Sequence, residues 1–187
     1  LLPGGGCAVA LAGATAASLG RFVARLTLRD PKAPDLENDF QAIHKRFGYL
    51  QEKCLDIMNQ DQVEYEKILV ALRMPKNTPQ ESAQRKAALE KASISALGPP
   101  TSLGEYGAEL LRMSRKLIEK GYGPAKADAE AAADIALACL RGGLRIARAN
   151  LPGISDREIS GYYRKILEES EAEGEYFNLL NTFSKKE

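Results

Sequence analysis

One acidic residue interrupts an apolar helical stripe. From Asp35 onward the apolar residues recur at alternating steps of three and four, the spacing of a helix face that packs on a neighbour. The members of this stripe are Phe40, Ile43, Phe47, Leu50, Cys54 and Ile57 and, after a gap, Tyr65, Ile68 and Leu72. The apolar residue that the pattern requires in the gap is replaced by Asp61.

A carboxylate at this position must be hydrogen-bonded, paired with a cation, or raised in pKa, because an isolated buried charge is costly. Asp61 is therefore a candidate for general acid/base catalysis. The competing interpretation is that Asp61 is a structural partner of an arginine or of a helix N-terminus.

A glycine-rich segment, Pro3-Gly4-Gly5-Gly6, runs directly into the first predicted helix. Backbone N–H groups at the positive end of a helix dipole suit a carboxylate, a phosphate or an amide carbonyl. The competing interpretation is a flexible turn. The segment is not a P-loop, because no Gly-Lys-Ser/Thr follows it.

A second acid lies at the start of the fifth predicted helix. The loop Gly121-Tyr122-Gly123-Pro124 leads through Lys126 to Asp128, which is either a reactive group or a carboxylate that complements the helix dipole. Three arginines share one face of the same helix: Arg141, Arg145 and Arg148. They indicate either a site for an anionic substrate tail or a face that meets solvent or a second subunit.

The remaining reactive residue types do not form a recognisable site. His44 is the only histidine and has no second ligand at metal-binding spacing. Cys7, Cys54 and Cys139 lie far apart in apolar runs, so we interpret them as reduced core thiols of a cytoplasmic protein. We expect no metal and no nucleophilic catalysis.

Composition excludes several partner classes. The chain has 187 residues with 26 Lys and Arg against 25 Asp and Glu, so it has no basic excess for nucleic acid. Its first 20 residues carry no charge, but glycine and alanine make this run a poor membrane segment, and Arg21 follows at once. We expect no membrane partner. Because the chain begins at Leu1 rather than Met, we also expect a preceding segment.

The elements that must position these residues are helices. Proline and glycine stops divide the chain near residues 31, 75, 98–100, 121–124 and 152. Capping boxes are predicted at Thr78 with Glu81, at Ser102 with Glu105, and at Ser155 with Glu158; these pairs are separated by three residues. No segment has the period of a strand.

Two of the predicted helices, about 7–28 and about 125–149, consist largely of alanine and glycine. Small side chains allow helix axes to approach closely, so we predict that these helices form the centre of the bundle, and we expect a dimer in which they pack closely. The sequence thus predicts a single all-α domain over residues 1–187, an up-and-down-like bundle with a long second helix.

The run PGGGCAVALAGATAASLGRFVARLT at 3–27 resembles the opening PGGGSVAALAGALGAALASMVANLT of the cyclodeaminase/cyclohydrolase family of folate enzymes. The resemblance continues through Asp61, LRMPKNTP at 72–79, IEKGYGPAKAD at 118–128 and Asn150-Leu151. It implies an all-helical homodimer with active sites near the subunit interface, a tetrahydrofolate substrate, and catalysis without metal or organic cofactor.

Two reactions follow from the resemblance. One is hydrolysis of 5,10-methenyltetrahydrofolate to 10-formyltetrahydrofolate, and the other is deamination of 5-formimidoyltetrahydrofolate to the methenyl compound. Both pass through a tetrahedral carbon and require one proton to move, which a single carboxyl group can accomplish. The alternative is a catalytically silent helical dimer that binds a folate-like ligand or serves as an assembly subunit.

The resemblance also implies site residues. Asp61 and Asp128 match acidic positions of the family and are the expected catalytic residues. The expected substrate-binding residues are Pro3, Gly4, Gly5, Gly6, Lys32, Lys126 and Asn150. The chain departs from the family at 28–32, at Ala127 and Glu130, and at Ile146, where asparagine is common; these departures favour an altered substrate or a silent protein.

Overall fold

The computed structural model describes residues 4–30 and 37–184, with side chains described up to residue 178. Within these ranges the chain forms six α-helices, two short 3₁₀ turns and no strand. The helices are α1 (Gly5–Thr27), α2 (Glu37–Arg73), α3 (Pro79–Ser95), α4 (Gly98–Lys120), α5 (Lys126–Asn150) and α6 (Arg157–Ser184). The 3₁₀ turns, Gly123–Ala125 and Leu151–Gly153, precede and follow α5.

The predicted all-α architecture with a long second helix is confirmed, since α2 has 37 residues and is about 55 Å long at 1.5 Å per residue. The capping box at the start of α3 is also confirmed. The Thr78 side chain accepts from the Glu81 N–H, and the Glu81 carboxylate accepts from the Thr78 N–H.

Two other predicted helix starts are wrong. Helix α4 begins at Gly98, so Ser102 lies inside it, and Pro99 is one of the first helical residues rather than part of a stop. Proline is tolerated there because the first N–H groups of a helix have no internal partner. At α6 the capping side chain is Asp156 rather than Ser155, because Asp156 Oδ1 accepts from the N–H groups of Glu158 and Ile159.

Helices α1 and α2 are antiparallel and meet along glycines spaced seven residues apart. A Cβ added to any of these glycines would overlap a side chain of α2. The pairs are Gly6 with Asp61, Gly13 with Cys54, and Gly20 with Phe47. The absent side chains let the two helices approach closely, and Phe47 and Cys54 are fully buried as a result.

Helix α5 also lies antiparallel to α1, as the contacts along their lengths show. Gly5 of α1 is near Ile146, while the Thr27 hydroxyl at the opposite end accepts from the N–H of Tyr122, just before α5. Helix α4 crosses α5 at glycine as well, since a Cβ on Gly107 would meet the backbone of Leu140. The predicted central position of the small-residue helices therefore agrees with the structure.

Large side chains from α2 and α4 fill the space around the small-residue helices. Phe40, Phe47 and Leu50 of α2 and Leu110 and Leu111 of α4 are all at most 2% exposed. Each contributes on the order of 1.5–3 kcal/mol through burial. The core therefore closes within one chain, and the small residues alone do not indicate a second subunit.

The apolar stripe of α2 is buried only as far as Ile57. Beyond Asp61, Tyr65 is 53% exposed and Leu72 is 47% exposed, while Ile68 is half-buried. Within one chain, the expected packing of this stripe on a neighbouring helix is therefore confirmed only as far as Ile57. The exposed end of the helix leaves one side of Asp61 open.

Helix α1 is long and apolar enough to cross a membrane by length and composition. Half of the most apolar window is buried inside the protein, where it packs against α2, α4 and α5. The core helix of a soluble protein meets the same criterion.

Candidate functional site

The predicted reactive acid lies in a cavity at one end of the bundle. The cavity has a volume of about 430 Å³ and is formed where the start of α1, the exposed half of α2 and the end of α5 converge. Its lining residues are Gly4, Gly5, Gly6, Asp61, Gln62, Glu64, Tyr65, Ile68, Ala96, Ile146 and Asn150. A cavity of this size falls within the range of roughly 300–1,000 Å³ that is typical of small-molecule sites.

Asp61 is hydrogen-bonded to the N-terminus of α1. The backbone N–H of Cys7 donates to its carboxyl group, and the Cys7 thiol lies 3.9 Å from Oδ2. Gly4 occupies the N-cap position of α1 and has no side chain to accept from the first N–H groups, so Asp61 supplies the acceptor from another helix. This is the helix N-terminus contact expected for a structural Asp61, found at a residue that also lines the cavity.

Gly6 makes this contact possible. A Cβ at Gly6 would overlap Cγ and both carboxyl oxygens of Asp61, and Gly6 itself is buried. The glycine-rich segment therefore does more than present N–H groups, because its third glycine provides the space that the carboxyl group occupies.

Burial raises the pKa of Asp61, and the two hydrogen bonds from Cys7 partly offset the increase. The result is a carboxyl group held in place by a helix N-terminus yet more readily protonated than a solvated aspartate. Such a group can both accept and return a proton, which is the requirement for general acid/base catalysis.

A second carboxyl group of the cavity has the opposite behaviour. Burial alone would raise the pKa of Glu64, but hydrogen bonds from Lys67 and Ser95 and the charge of Lys67 outweigh it, so the pKa is lowered. The Lys67 Nζ lies 2.7 Å from Glu64 Oε1. The pKa values of Glu64 and Asp61 therefore shift in opposite directions, a difference that separates acid/base roles.

Glu64 was not predicted as a site residue from the sequence. The available signal was its spacing, because a residue three positions after Asp61 lies on the same helix face. In the sequence, Glu64 and Lys67 resemble an ordinary surface ion pair on a helix. Only the fold places this pair at the mouth of a cavity.

The remaining walls are formed by α5 and by the junction between α3 and α4. The Asn150 amide donates from Nδ2 to the backbone oxygen of Ala96 at 3.2 Å, which ties the end of α5 to that junction. Ile146 lies one turn before Asn150 and, with Ile68, provides apolar surface. The sequence-predicted residues Gly4, Gly5, Gly6, Asp61 and Asn150 are thus brought together.

Two predicted site residues lie far from this cavity. Asp128 and Lys126 are at the first turn of α5, and Ile146 and Asn150 are at its last turn. The 18 residues from Asp128 to Ile146 span about 27 Å of helix at 1.5 Å each. Within one chain, Asp128 and Asp61 therefore do not share a site. Pro3 and Lys32, the other predicted binding residues, lie outside the described residues.

The three arginines of α5 face α6 rather than the cavity. Arg148 forms a two-pronged salt bridge with Glu171, in which Nη1 is 2.8 Å from Oε1 and Nη2 is bonded to Oε2. Arg141 and Arg145 line the same groove between α5 and α6. Within the chain, Arg148 is thus paired with α6, and the predicted site for an anionic substrate tail, if formed by these arginines, lies in this groove and not in the cavity.

The described residues contain no group of three or more His, Cys, Asp or Glu side chains that could hold a metal ion. His44 is half-buried on α2, where burial lowers its pKa and the nearby Arg21 and Arg25 lower it further. Cys54 and Cys139 are buried thiols that meet over Gly13.

Comparison with known proteins identifies relatives of this chain. Residues 1–169 match the family described as formiminotransferase-cyclodeaminase. The chain is 29% identical over 166 residues to the methenyltetrahydrofolate cyclohydrolase of Methylorubrum extorquens, covering 89% of this chain and 80% of that protein. It is 26% identical over 131 residues to the formimidoyltransferase-cyclodeaminase of Rattus norvegicus, covering 70% of this chain and 24% of that protein.

A solved structure shares the fold. The crystal structure of formiminotetrahydrofolate cyclodeaminase from Thermotoga maritima superposes with a TM-score of 0.81 at 26% sequence identity, covering 92% of this chain and 82% of that one. The family match extends over nine tenths of the chain and includes every residue of the cavity. The chain therefore belongs to the formiminotransferase-cyclodeaminase family.

Proposed function

We propose that the chain hydrolyses 5,10-methenyltetrahydrofolate to 10-formyltetrahydrofolate, with Asp61 as the proton-transfer group. The observation that carries this proposal is the position of Asp61, a carboxyl group with a pKa raised by burial that is held by α1 at the wall of a 430 Å³ cavity. The alignment with the Methylorubrum extorquens cyclohydrolase over 80% of its length supports this choice of reaction.

The chemistry requires one proton to be taken up and then returned. The oxygen of a water molecule forms a bond to the methenyl carbon, and its proton passes to the Asp61 carboxylate. The tetrahedral intermediate then breaks its bond from carbon to N5, and N5 takes the proton back from Asp61. The hydroxyl group left by the water loses its remaining proton to solvent and becomes the formyl carbonyl. One carboxyl group whose pKa is raised by burial can perform both steps.

The rest of the cavity suits the ring system of a folate. Ile68, Ala96 and Ile146 offer apolar surface to a flat heterocycle. Glu64, held ionised by Lys67, can accept hydrogen bonds from ring N–H groups.

A second candidate reaction is deamination of 5-formimidoyltetrahydrofolate. The similarity of fold to the Thermotoga maritima cyclodeaminase favours it. In this reaction N10 forms a bond to the formimidoyl carbon and its proton passes to the imino nitrogen. Asp61 supplies a second proton to that nitrogen, ammonia leaves, and the methenyl bridge closes. The same carboxyl group would serve both reactions.

The alternative function is non-enzymatic: a helical protein that binds a folate-like ligand without catalysing a reaction. It is favoured by Ile146, an apolar side chain in the cavity at a position where the resemblance led us to expect an asparagine. An apolar wall removes one potential hydrogen bond to substrate but leaves Asp61 and Glu64 in place.

Three measurements separate these functions. Purified protein is mixed with methenyltetrahydrofolate, whose absorbance falls on hydrolysis, and the rate is compared with that of buffer alone. Release of ammonia from formimidoyltetrahydrofolate tests the second reaction. Folate binding by calorimetry with no turnover of either compound would contradict the enzymatic proposal and support the binding protein.

We further propose that the chain forms a homodimer. Leu55, Val63 and Val70 of α2 lie at steps of eight and seven, so they share one helix face, and they are 43%, 55% and 60% exposed. Exposed apolar stripes of this kind are typical of interaction surfaces. Sedimentation velocity at micromolar concentration tests the proposal, and Val63→Glu should shift the protein to monomer. A wild-type monomer would contradict it.

We also propose that the protein acts without an organic cofactor and in the cytoplasm. The proton transfer described above requires only a carboxyl group and water. Cys7, Cys54 and Cys139 are free and buried, as suits a reducing compartment. Activity of protein refolded from denaturant without added cofactor would support the first proposal.

A further inference from the structure

Cys7 occupies the point at which α1 meets the proposed catalytic group. It is the third residue of α1 and only 3% exposed, and both its backbone N–H and its side chain approach the Asp61 carboxyl. The thiol lies 3.9 Å from Asp61 Oδ2 and 3.4 Å from the backbone oxygen of Met58. A single side chain thus has two acceptors on α2, less than one turn apart.

A thiol has one hydrogen, so it can donate to only one of these acceptors fully at a time. An ionised carboxylate is a stronger acceptor than an amide oxygen, so the hydrogen is drawn to Asp61 when Asp61 is charged. When Asp61 is protonated, the Met58 oxygen is the better acceptor. The direction of the thiol therefore follows the ionisation state of Asp61.

Among the described residues, Cys7 is the one whose side chain hydrogen-bonds to Asp61. The cavity residues that α5 supplies, Ile146 and Asn150, are uncharged, as is Ala96 at the junction of α3 and α4. On α2 itself, Glu64 lies one turn away and is paired with Lys67, and Tyr65, also one turn away, is exposed at the cavity. The Cys7 thiol is thus the side chain whose hydrogen bond favours the charged form of Asp61.

We propose that Cys7 is a positioning residue for Asp61: its thiol orients the carboxyl group and stabilises its ionised form by a hydrogen bond that is released on protonation. The effect on turnover rests on the proposed function of Asp61, whereas the effect on the ionisation of Asp61 does not. The two can therefore be tested separately.

The test compares Cys7→Ala and Cys7→Ser in protein labelled with carboxyl-¹³C aspartate. The Asp61 resonance is assigned by its absence from Asp61→Asn, and its pH titration gives the pKa directly. Without the thiol donor we expect the pKa of Asp61 to rise by about one pH unit in Cys7→Ala. Cys7→Ser retains a hydrogen-bond donor, so the pKa of Asp61 in this variant should differ from that of the wild type by no more than about half of that change.

The matched control is Cys54→Ala, which removes another buried thiol at the α1–α2 contact, two turns from Asp61. It should leave the pKa of Asp61 unchanged. An equal pKa of Asp61 in Cys7→Ala and wild type would overturn the inference. An equal increase in Cys54→Ala would also overturn it, because loosening of the helix contact would then be the cause.

The pH profile of methenyltetrahydrofolate hydrolysis gives the second readout. If Asp61 acts as a base, the rising limb of the profile should move to higher pH in Cys7→Ala. In Cys7→Ser the rising limb should lie close to its wild-type position. A raised pKa of Asp61 with an unmoved profile would support the positioning role of Cys7 and contradict the proposed function of Asp61.

Discussion

The carboxyl group of Asp61 occupies the space that a side chain on Gly6 would fill. Gly6 is buried at the start of α1, and a Cβ there would overlap all three atoms of the carboxyl group. The two other glycines at the same spacing face Cys54 and Phe47. Asp61 is therefore the polar member of a series of helix contacts that is otherwise apolar.

Gly6→Ala should displace the Asp61 carboxyl group. We expect a loss of turnover of about 10²-fold, the usual size of a general acid/base contribution at its lower end. The expected change in stability is small, because α2 is exposed around Asp61 and can shift. The measurement is the steady-state rate of methenyltetrahydrofolate hydrolysis beside a thermal melt.

The control for this substitution is Gly161→Ala in α6. Nothing lies within 4 Å of a Cβ at that position, so the same chemical change should raise stability by about 0.5–1 kcal/mol and leave turnover unchanged. Equal turnover of Gly6→Ala and wild type would show that the position of Asp61 does not matter for catalysis.

The raised pKa of Asp61 predicts how stability depends on pH. Because the folded protein binds a proton at Asp61 more tightly than the unfolded chain, the interaction favours folding below the ordinary pKa of 3.8. This contribution is lost as pH rises through the raised pKa. Relative to Asp61→Asn, the wild type should therefore lose stability as pH rises from 3.8 through the raised pKa, as measured by denaturant unfolding at several pH values. A difference that is constant over this window would contradict the raised pKa.

Asp128→Asn tests whether the site is complete within one chain. Asp128 lies about 27 Å along α5 from Ile146, so the substitution should change turnover by no more than about twofold. A much larger loss with an unchanged melting temperature would mean that a second subunit brings Asp128 to the cavity, and mixing Asp128→Asn with Asp61→Asn protein would then restore activity.

The sequence predicted the helices well because their signals are local. Alternation of three and four residues defines α2, and Thr78 with Glu81 defines the start of α3. The predicted start of α4 was wrong because Gly98 and the two prolines after it were interpreted as the end of a helix. Proline is also common in the first turn of a helix.

The site was predicted in part, for a physical reason. Asp61 was detectable because it interrupts the apolar periodicity of α2. Gly6 was detectable because it belongs to a glycine-rich segment just before the predicted first helix. The partnership between these residues depends on the antiparallel register of α1 and α2, which no local pattern specifies. Glu64 and Cys7 were not predicted as site residues. In the sequence, Glu64 resembles an ordinary surface acid and Cys7 resembles an ordinary core thiol.

The register between helices also determines the distance between Asp128 and Asp61 within the chain. The resemblance implied that both acids are catalytic, and the fold places Asp128 at the first turn of α5 and Asp61, on α2, beside the last turn of α5. A sequence match identifies corresponding residues but carries no distance between them. That distance follows only from the direction in which α5 runs beside α1.

The most direct test of the proposed function is Asp61→Asn, assayed for single-turnover hydrolysis of methenyltetrahydrofolate and for thermal unfolding on the same preparation. The substitution keeps the volume of the side chain and removes the titrating proton. The proposed mechanism predicts a fall in turnover of about 10²- to 10⁴-fold with a melting temperature close to that of the wild type. Wild-type turnover in the folded fraction, accompanied by a loss of stability of a few kcal/mol, would make Asp61 a structural cap of α1 and contradict its catalytic role.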